Sequence, residues 1–308
     1  MPATDEPIVA CVPNFSEGVD LACVKAIVSS MRVEGVRLLD WSMDSDHNRS
    51  VVTVAGPPAA VVESAVRAVG TAAKLIDLTR QTGVHPRIGA ADVIPFVPVS
   101  GISLDRCAVL ARQAGAEIWK RYGIPVYFYE AAAARPDRAN LEDVRRGQFE
   151  ELREASKAQP KRRPDVGGPG LHPTAGACAV GARKFLVAYN LYFDSTDVSL
   201  VRAIAKEVRA SSGGLKGVKA LGVLAHGRAQ LTMNVTDLQA TPVSKVYAQV
   251  CRLAAKHKTE PVEAEIIGLL PQIAYEQESE WMRLLVGFDP ATKVLERRLE
   301  APQDWPED

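Results

Sequence analysis

The sequence predicts an α+β protein built from two tandem ferredoxin-like (βαββαβ) subdomains with a ligand cleft between them. Two observations support this fold class. At 308 residues the chain is long enough for two domains. The order strand, helix, strand, strand, helix, strand also occurs in each half, with a proline opening the second helix after a hairpin. We expect subdomains at residues 1–180 and 181–308.

The first half takes its strands from short apolar runs and its helices from apolar residues three to four positions apart. The predicted elements are strand Ile8–Val12, a helix from the cap Asp20 to about Met31, strands Val36–Trp41 and Ser50–Ala55, a helix from Pro57 to about Leu78, and strand Val93–Val99. A helix at Leu104–Arg121, a strand at Pro125–Tyr129 and a charged helical connector at Ala131–Arg163 follow.

The second half repeats the order. Its predicted elements are strand Lys184–Phe193, helix Asp197–Ala210, strands Val218–Ala225 and Ala229–Val235, a helix from Thr241 to about His257, and strand Ala264–Leu270. Such a unit lays its helices on one face of a largely antiparallel sheet, so the other face must be covered by something else.

The amino-acid composition argues against several classes of function. Thirty-seven basic residues balance thirty-seven acidic ones, so the net charge suggests neither a nucleic-acid nor a membrane partner. The stretch Met1 to Pro7 lacks the features of a secretory signal, so we expect a cytoplasmic protein. The five cysteines are scattered, which favours buried apolar roles, with Cys11 the strongest candidate for a catalytic thiol. Motifs for metal ligands are absent from the sequence, so we expect no metal site.

The stretch Gly83–Phe96 contains the strongest candidates for catalytic residues. It places His85, Arg87 and Asp92 on a loop bounded by glycine and proline that leads into an apolar strand. A histidine before a proline favours extended backbone, so its ring projects from the chain, as a proton carrier requires. The alternative is that His85 caps the preceding helix.

A second loop, Asp165–Gly176, is rich in glycine and proline. Its spacing matches neither common phosphate-binding motif, which argues against a nucleotide site. Its glycines allow the backbone to approach a flat ligand closely. The alternative is a flexible linker.

Five stretches together resemble the formiminotransferase family, whose members transfer a formimino group from N-formiminoglutamate to tetrahydrofolate in histidine degradation. They are Cys11–Gly18, Asp46–Ser50, His85–Val93, Gly181–Leu186 and Met233–Asp237. The resemblance implies a folate tunnel between two ferredoxin-like subdomains, tetrahydrofolate as co-substrate, and a homodimer. Mammalian relatives continue into a cyclodeaminase, which is expected to be a separate protein here.

The resemblance also implies residue roles. The catalytic histidine of the family matches His85. Its folate-lining stretch matches Gly167, Gly168, Pro169, Gly170, Leu171, His172, Pro173, Thr174, Ala175 and Gly176. Where mammalian enzymes carry an aspartate that orients the histidine, this chain has Ser42, so the supporting acid would be Asp40, Asp44 or Asp46.

In the transfer, N5 of the folate must lose a proton and the departing glutamate nitrogen must gain one. His85 is predicted to perform both steps as a proton shuttle, because histidine titrates near neutral pH. Guanidinium groups suit the carboxylates of the donor. Arg49, Arg87 and Arg183 are therefore predicted to bind substrate, with Asn48 and Asn234 reading pterin edges. His47 and His172 are further binding candidates, and Lys161, Arg162 and Arg163 form either a polyglutamate contact or a solvated connector end.

Two alternatives stay open at this level. A related folate transferase could use N-formylglutamate or formiminoglycine as donor. The other alternative is a protein that binds folate without catalysing a reaction. The residues do not rank the donors, because the carboxylate pockets are assembled from distant segments.

Overall fold

Strands and helices alternate along the chain, in agreement with the predicted α+β class. The computed structural model describes residues 6–277 and 280–306. These form two units, one holding the described residues up to Arg183 and again from Pro302, the other Lys184–Ala301. The division at 180/181 stays a prediction, although a boundary after Arg183 leaves the strand that ends at Ala182 intact.

A seven-stranded sheet organises the first unit. Its strands are β1 (Ile8–Cys11), β2 (Asn14–Phe15), β3 (Arg37–Asp44), β4 (Arg49–Gly56), β5 (Ala91–Ser100), β6 (Val126–Glu130) and β7 (Cys178–Ala182). Both β1 and β2 lie between β4 and β5, so they act as one strand interrupted at Pro13. The spatial order is β3, β4, β1 with β2, β5, β7, β6, and β7 pairs in parallel with β5 and β6.

Helices cover both faces of this sheet. The main core holds α1 (Leu21–Ser30), α2 (Pro58–Leu75) and α3 (Leu104–Tyr122) on one face. Asp20 caps α1 through the backbone N–H groups of Ala22 and Cys23, as predicted. The connector forms α4 (Leu141–Val144) and α5 (Gln148–Ala158), with 3₁₀ turns at Pro136–Arg138 and Pro160–Arg162. A smaller apolar cluster joins this connector to β5, β6 and β7.

The second unit has a four-stranded antiparallel sheet. Its strands are β8 (Val187–Phe193), β9 (Val218–Ala225), β10 (Arg228–Val235) and β11 (Pro261–Ile267), in the order β11-β8-β10-β9. The helices are α6 (Val198–Val208), α7 (Val243–Lys256), α8 (Gln272–Tyr275), α9 (Pro290–Lys293) and α10 (Leu295–Glu300), with 3₁₀ turns at Ala210–Ser212 and Glu280–Leu284. Alternate residues of β8 enter the core, as the two-residue period of a strand requires.

Two strands were missed, and several predicted boundaries differ from those of the structure. The strands β2 and β7 were not predicted, because β2 is very short and the small buried residues of β7 lack polar alternation. The last strand begins at Pro261, not Ala264, and ends before Gly268, whose φ of +77° departs from strand geometry. Helix α2 ends at Leu75 instead of near Leu78.

Burial confirms the core role of Cys11, which is fully buried, and burial raises the pKa of its thiol far above the usual value. None of the described helices has the length and apolar content to cross a membrane. Within residues 6–277 and 280–306, no three His, Cys, Asp or Glu side chains are placed to hold a metal ion. Most of Met1 to Pro7, on which the localisation prediction depends, lies outside the described residues.

Candidate active site

One end of the first unit's sheet gathers the predicted catalytic histidine and several of the predicted substrate-binding residues. There β3 turns into β4, and β2 and β5 contribute neighbouring strand ends. Antiparallel pairing places the end of one strand beside the start of the next, which brings together residues far apart in sequence. A narrow pocket at this end is lined by Asn14, Phe15, Ser16, His47, Asn48, Arg49, His85, Arg87 and Asp92.

The loop that carries His85 is not a helix cap. Helix α2 ends at Leu75, so the helix-capping alternative for His85 is wrong. The loop is held by the β3–β4 turn: the Val84 N–H donates to the Asp46 carbonyl at 3.4 Å, and Asn48 Nδ2 donates to the Thr82 carbonyl at 2.8 Å. These contacts fix the loop against the strand end that carries Arg49.

Arg49 lies directly on the imidazole of His85. Its Nη1 is 2.8 Å from Nε2 of His85, and its Nη2 donates to Oδ1 of Asn14. A guanidinium can only donate, so Nε2 accepts and the ring hydrogen of a neutral His85 lies on Nδ1. The Nε atom of Arg49 is buried and has no hydrogen-bond partner among the described residues. The Nε–H donor of Arg49 is therefore unused beside the histidine.

The electrostatic surroundings keep His85 neutral. Burial lowers the pKa of its imidazole well below the usual value, and the positive charges of Arg49 and Arg145 lower it further. Burial also lowers the pKa of Arg49 to about 10, followed in effect by the charge of Arg145, so Arg49 is still a cation at neutral pH. His85 is therefore unprotonated at neutral pH, as a proton acceptor must be, and the neighbouring cations make it a weaker base than a free imidazole.

Among the predicted supporting acids, Asp44 pairs with His47. Oδ1 of Asp44 is 3.0 Å from Nδ1 of His47 and accepts the His47 backbone N–H at 2.9 Å. The His47 ring in turn lies 6.4 Å from the His85 ring, centroid to centroid. The role of Asp40, Asp44 or Asp46 as the acid that orients His85 stays a prediction.

Arg87 is engaged by the protein itself. Its Nη2 donates to Oε1 of Glu150 at 2.9 Å and to the Gln81 carbonyl at 2.8 Å, and its Nη1 lies 3.4 Å from Oε2 of Glu150. The backbone carbonyl of Arg87 also accepts the N–H of Phe149 at 2.9 Å. These contacts brace the His85 loop against α5, whereas the predicted substrate contact of Arg87 stays a prediction.

Asp92 and Arg145 form a buried ion pair that the sequence interpretation missed. Oδ2 of Asp92 accepts from Nη2 of Arg145, and Oδ1 accepts the Ile88 N–H at 2.8 Å. The Asp92 side chain is 4% exposed and that of Arg145 13%. Arg145 lies in the charged connector, where its neighbours carry no motif. Only the fold brings its charge near His85.

The end of the glycine-rich loop lies against the His85 loop. The Ala90 N–H donates to the Ala175 carbonyl at 2.9 Å, and the Leu78 N–H donates to the Thr174 carbonyl at 2.9 Å. Nδ1 of His172 accepts the Ala175 N–H at 3.0 Å, and burial lowers the pKa of His172. The segment is thus tied to the loop that carries the histidine, which contradicts the flexible-linker alternative for this part.

Gly176 is expected to tolerate no side chain. Its φ is +69°, and a Cβ there would lie 2.1 Å from the Ile88 carbonyl oxygen. We expect Gly176→Ala to lower the free energy of unfolding by several times the ~1 kcal/mol that a positive φ alone costs an alanine. Gly123 is the matched control, with a φ of +65° and nothing within 4 Å of its Cβ position. Urea denaturation compares the two variants, and equal losses would contradict the steric explanation.

Other predicted residues lie elsewhere. Arg183 follows β7, where its N–H donates to the Phe96 carbonyl at 3.1 Å, and it is not among the pocket-lining residues. Asn234 is exposed on β10 of the second unit. Arg162 donates to the Asp143 carbonyl at 3.3 Å, so it is not simply solvated. Asn14, which Arg49 contacts, lies in one of the resembling stretches but had no predicted role.

Comparison with known proteins gives a consistent result along the chain. The sequence profile of the formiminotransferase domain, N-terminal subdomain, matches residues 8–183, and that of the formiminotransferase domain matches residues 188–282. Glutamate formimidoyltransferase of Thermoplasma acidophilum is 41% identical over 95% of this chain and 97% of its own length. That of Streptococcus pyogenes is 39% identical, with 95% and 98% covered.

A longer relative matches as well. Formimidoyltransferase-cyclodeaminase of Gallus gallus is 38% identical over 96% of this chain, which spans 61% of that protein. Both sequence profiles and the full-length relatives agree with the resemblance of the motifs. This chain belongs to the formiminotransferase family.

Proposed function

We propose that the protein is a glutamate formiminotransferase, which transfers the formimino group of N-formiminoglutamate to N5 of tetrahydrofolate. The observation that carries this function is the neutral His85 held against Arg49 in a pocket. The proposal is further supported by relatives named glutamate formimidoyltransferase that match 95% of the chain. Folate-dependent one-carbon transfer in histidine degradation is its metabolic setting.

The chemistry requires two proton transfers. N5 of tetrahydrofolate attacks the amidine carbon of the donor and forms a tetrahedral carbon that bears both nitrogens. Collapse to product breaks the bond between that carbon and the glutamate nitrogen, whose electron pair stays on nitrogen. N5 must lose a proton and the glutamate nitrogen must gain one, otherwise the intermediate returns to reactants. The neutral and buried state of His85 supports its proposed role as the group that takes the proton from N5.

Arg49 is proposed to bind a carboxylate of the donor through its unused Nε and the neighbouring Nη. Arg49→Lys keeps the charge but loses the two-donor fork. Because a hydrogen bond to a charged group contributes ~1.5–3 kcal/mol, we expect KM for N-formiminoglutamate to rise roughly tenfold to a hundredfold. KM for tetrahydrofolate should change little. Arg112→Lys, at an exposed position of α3, is the control, and an unchanged donor KM in Arg49→Lys would contradict the proposal.

The glycine-rich loop Gly167–Gly176 is proposed to bind the folate. Two features support this: the loop's end is hydrogen-bonded to the His85 loop, and its open part at Gly167–Pro169 is exposed. A folate bound to this loop would therefore lie near the loop that carries His85. Arg87, Arg183 and Asn48 remain proposed substrate contacts.

We further propose the finer architecture and cellular setting. Counting β1 with β2 as one strand, the first four strands of each unit follow the spatial order fourth, first, third, second, which supports two ferredoxin-like subdomains divided near residue 180. A homodimer in the cytoplasm is proposed from the family resemblance. A separate cyclodeaminase is proposed because the Thermoplasma and Streptococcus relatives are named as transferases alone.

The deciding experiment is a turnover assay with purified protein, tetrahydrofolate and N-formiminoglutamate, following 5-formiminotetrahydrofolate. N-formylglutamate and formiminoglycine serve as parallel donors, and isothermal titration measures folate binding. Transfer from N-formiminoglutamate is the expected result. Preference for another donor would identify a related transferase. Folate binding without turnover of any donor would identify a binding protein and overturn the proposal.

A further inference from the structure

His47 and Asp44 form a second imidazole–carboxylate pair on the wall of the pocket. Nδ1 of His47 and Oδ1 of Asp44 are 3.0 Å apart, and the side chains are only 16% and 28% exposed. The same oxygen accepts the His47 backbone N–H at 2.9 Å, so one carboxylate atom orients both backbone and ring. A carboxylate on Nδ1 fixes the orientation of the ring and leaves Nε2 for another partner.

The two histidines face one pocket. Both line it, and their ring centroids lie 6.4 Å apart with the ring planes tilted by 60°. They also come from different elements, His47 from the β3–β4 turn and His85 from the loop before β5. Two imidazoles at this separation can each reach a different nitrogen of one tetrahedral carbon bound between them.

The surroundings of the two rings are opposite in charge. Nε2 of His85 accepts a hydrogen bond from the guanidinium of Arg49, and the charge of Arg145 also lowers the pKa of His85. His47 meets the carboxylate of Asp44. When two titratable groups have environments of opposite charge, one group is suited to act as a base and the other as an acid. The reaction needs one of each, since one nitrogen loses a proton and the other gains one.

We propose that His47, positioned by Asp44, is the catalytic acid that protonates the departing glutamate nitrogen, while His85 takes the proton from N5. This inference rests on the proposed function. As the bond between the tetrahedral carbon and the glutamate nitrogen breaks, its electron pair stays on nitrogen and Nε2 of the His47 imidazolium donates its proton there. N5 loses one proton and glutamate gains one, so exchange with water restores both histidines.

The first test is the pH dependence of kcat in His47→Gln and Asp44→Asn. An acid must be protonated to act, so His47→Gln should lose about 10²–10⁴-fold in kcat and also the alkaline limb of the profile. Asp44→Asn removes the carboxylate that orients the His47 ring, so kcat should fall with little change in KM for either substrate, and the alkaline limb should remain. The groups that face His47 among the described residues are Asp44 on its own turn and Arg49 and His85 across the pocket, and Arg49 and His85 stay unchanged in both variants.

The second test changes the leaving group. N-formimino-4-aminobenzoate releases an arylamine, whose nitrogen is a better leaving group than that of glutamate, so its departure depends less on a proton from a general acid. On this donor His47→Gln should therefore lose less of the wild-type rate than on N-formiminoglutamate, whereas His85→Gln should lose about as much on both donors. His257→Gln, an exposed histidine at the end of α7, is the matched control and should keep wild-type kinetics. Far-UV circular dichroism checks that each variant is folded.

The outcomes separate this inference from the proposed function. If the wild-type protein transfers nothing from N-formiminoglutamate, the proposed function fails and the role of His47 fails with it. If the wild type is active but His47→Gln keeps its alkaline limb, or keeps kcat within a few-fold, only the role of His47 is overturned. If the arylamine donor is not a wild-type substrate, the pH profile decides alone.

Discussion

Replacing His85 with glutamine is expected to lower kcat for formimino transfer by about 10²–10⁴-fold, the usual contribution of a positioned acid–base group. Glutamine retains the approximate size of the ring and a hydrogen-bond acceptor for Arg49, which donates to Nε2 at 2.8 Å. The variant therefore loses proton transfer while the pocket keeps its shape. Steady-state kinetics measure kcat, with His257→Gln as control, and wild-type turnover by His85→Gln would exclude the catalytic role.

The same substitution is expected to change the acidic side of the pH profile. Burial and the charges of Arg49 and Arg145 lower the pKa of His85 well below 6.5, so wild-type kcat should fall only at pH values below that point. His85→Gln should lack this acidic limb.

The free energy of unfolding should also depend on the protonation of His85. The unfolded chain binds a proton on His85 at a higher pH than the folded protein does. The wild type should therefore lose stability as the pH falls from about 6.5 toward the lowered pKa, and this loss should be smaller in His85→Gln. Urea denaturation at several pH values measures it.

Replacing Asp92 with alanine is expected to have the largest effect on stability, a loss of about 3–5 kcal/mol in the free energy of unfolding. The substitution leaves the guanidinium of Arg145, whose side chain is 13% exposed, without its carboxylate partner. It also removes the acceptor of the Ile88 N–H, which shapes the loop after His85. Urea denaturation of the full chain provides the measurement.

A double-mutant cycle tests the cause. Because an uncompensated buried charge is the main cost, Asp92→Ala with Arg145→Met should destabilise less than Asp92→Ala alone. Asp137→Ala, which breaks an exposed pair with Arg135, is the control and should change stability little. If the double variant were as unstable as the sum of the single ones, the ion pair would not explain the effect.

Local pattern alone predicted the element types and the central histidine. The apolar spacing at Leu21–Ser30, the cap at Asp20 and the proline at the start of α2 define helices through interactions within a few residues, so a single sequence contains them. The loop around His85 was identifiable because a histidine, an arginine and an aspartate on a Gly/Pro-bounded loop serve no apolar core. The motif resemblance then indicated the family.

The sequence did not show which charged side chains contact one another in the folded protein. Three aspartates of the β3–β4 region were equal candidates for the supporting acid, and only the turn geometry places Asp44 on His47. Three arginines were equal candidates for substrate, yet Arg87 proved to be engaged by Glu150, far away in the chain. Such contacts depend on which chain segments meet, which spacing within one segment does not encode.

The sequence by itself thus determined most of the secondary structure, the family and the choice of His85 as the central histidine, because these follow from short-range periodicity and from motifs. The tertiary structure alone decided the charge environment of that histidine. Arg49 arrives on β4 and Arg145 on the connector, and burial in their company keeps the imidazole neutral. A pKa depends on distance and desolvation in space, and neither quantity exists before the chain is folded.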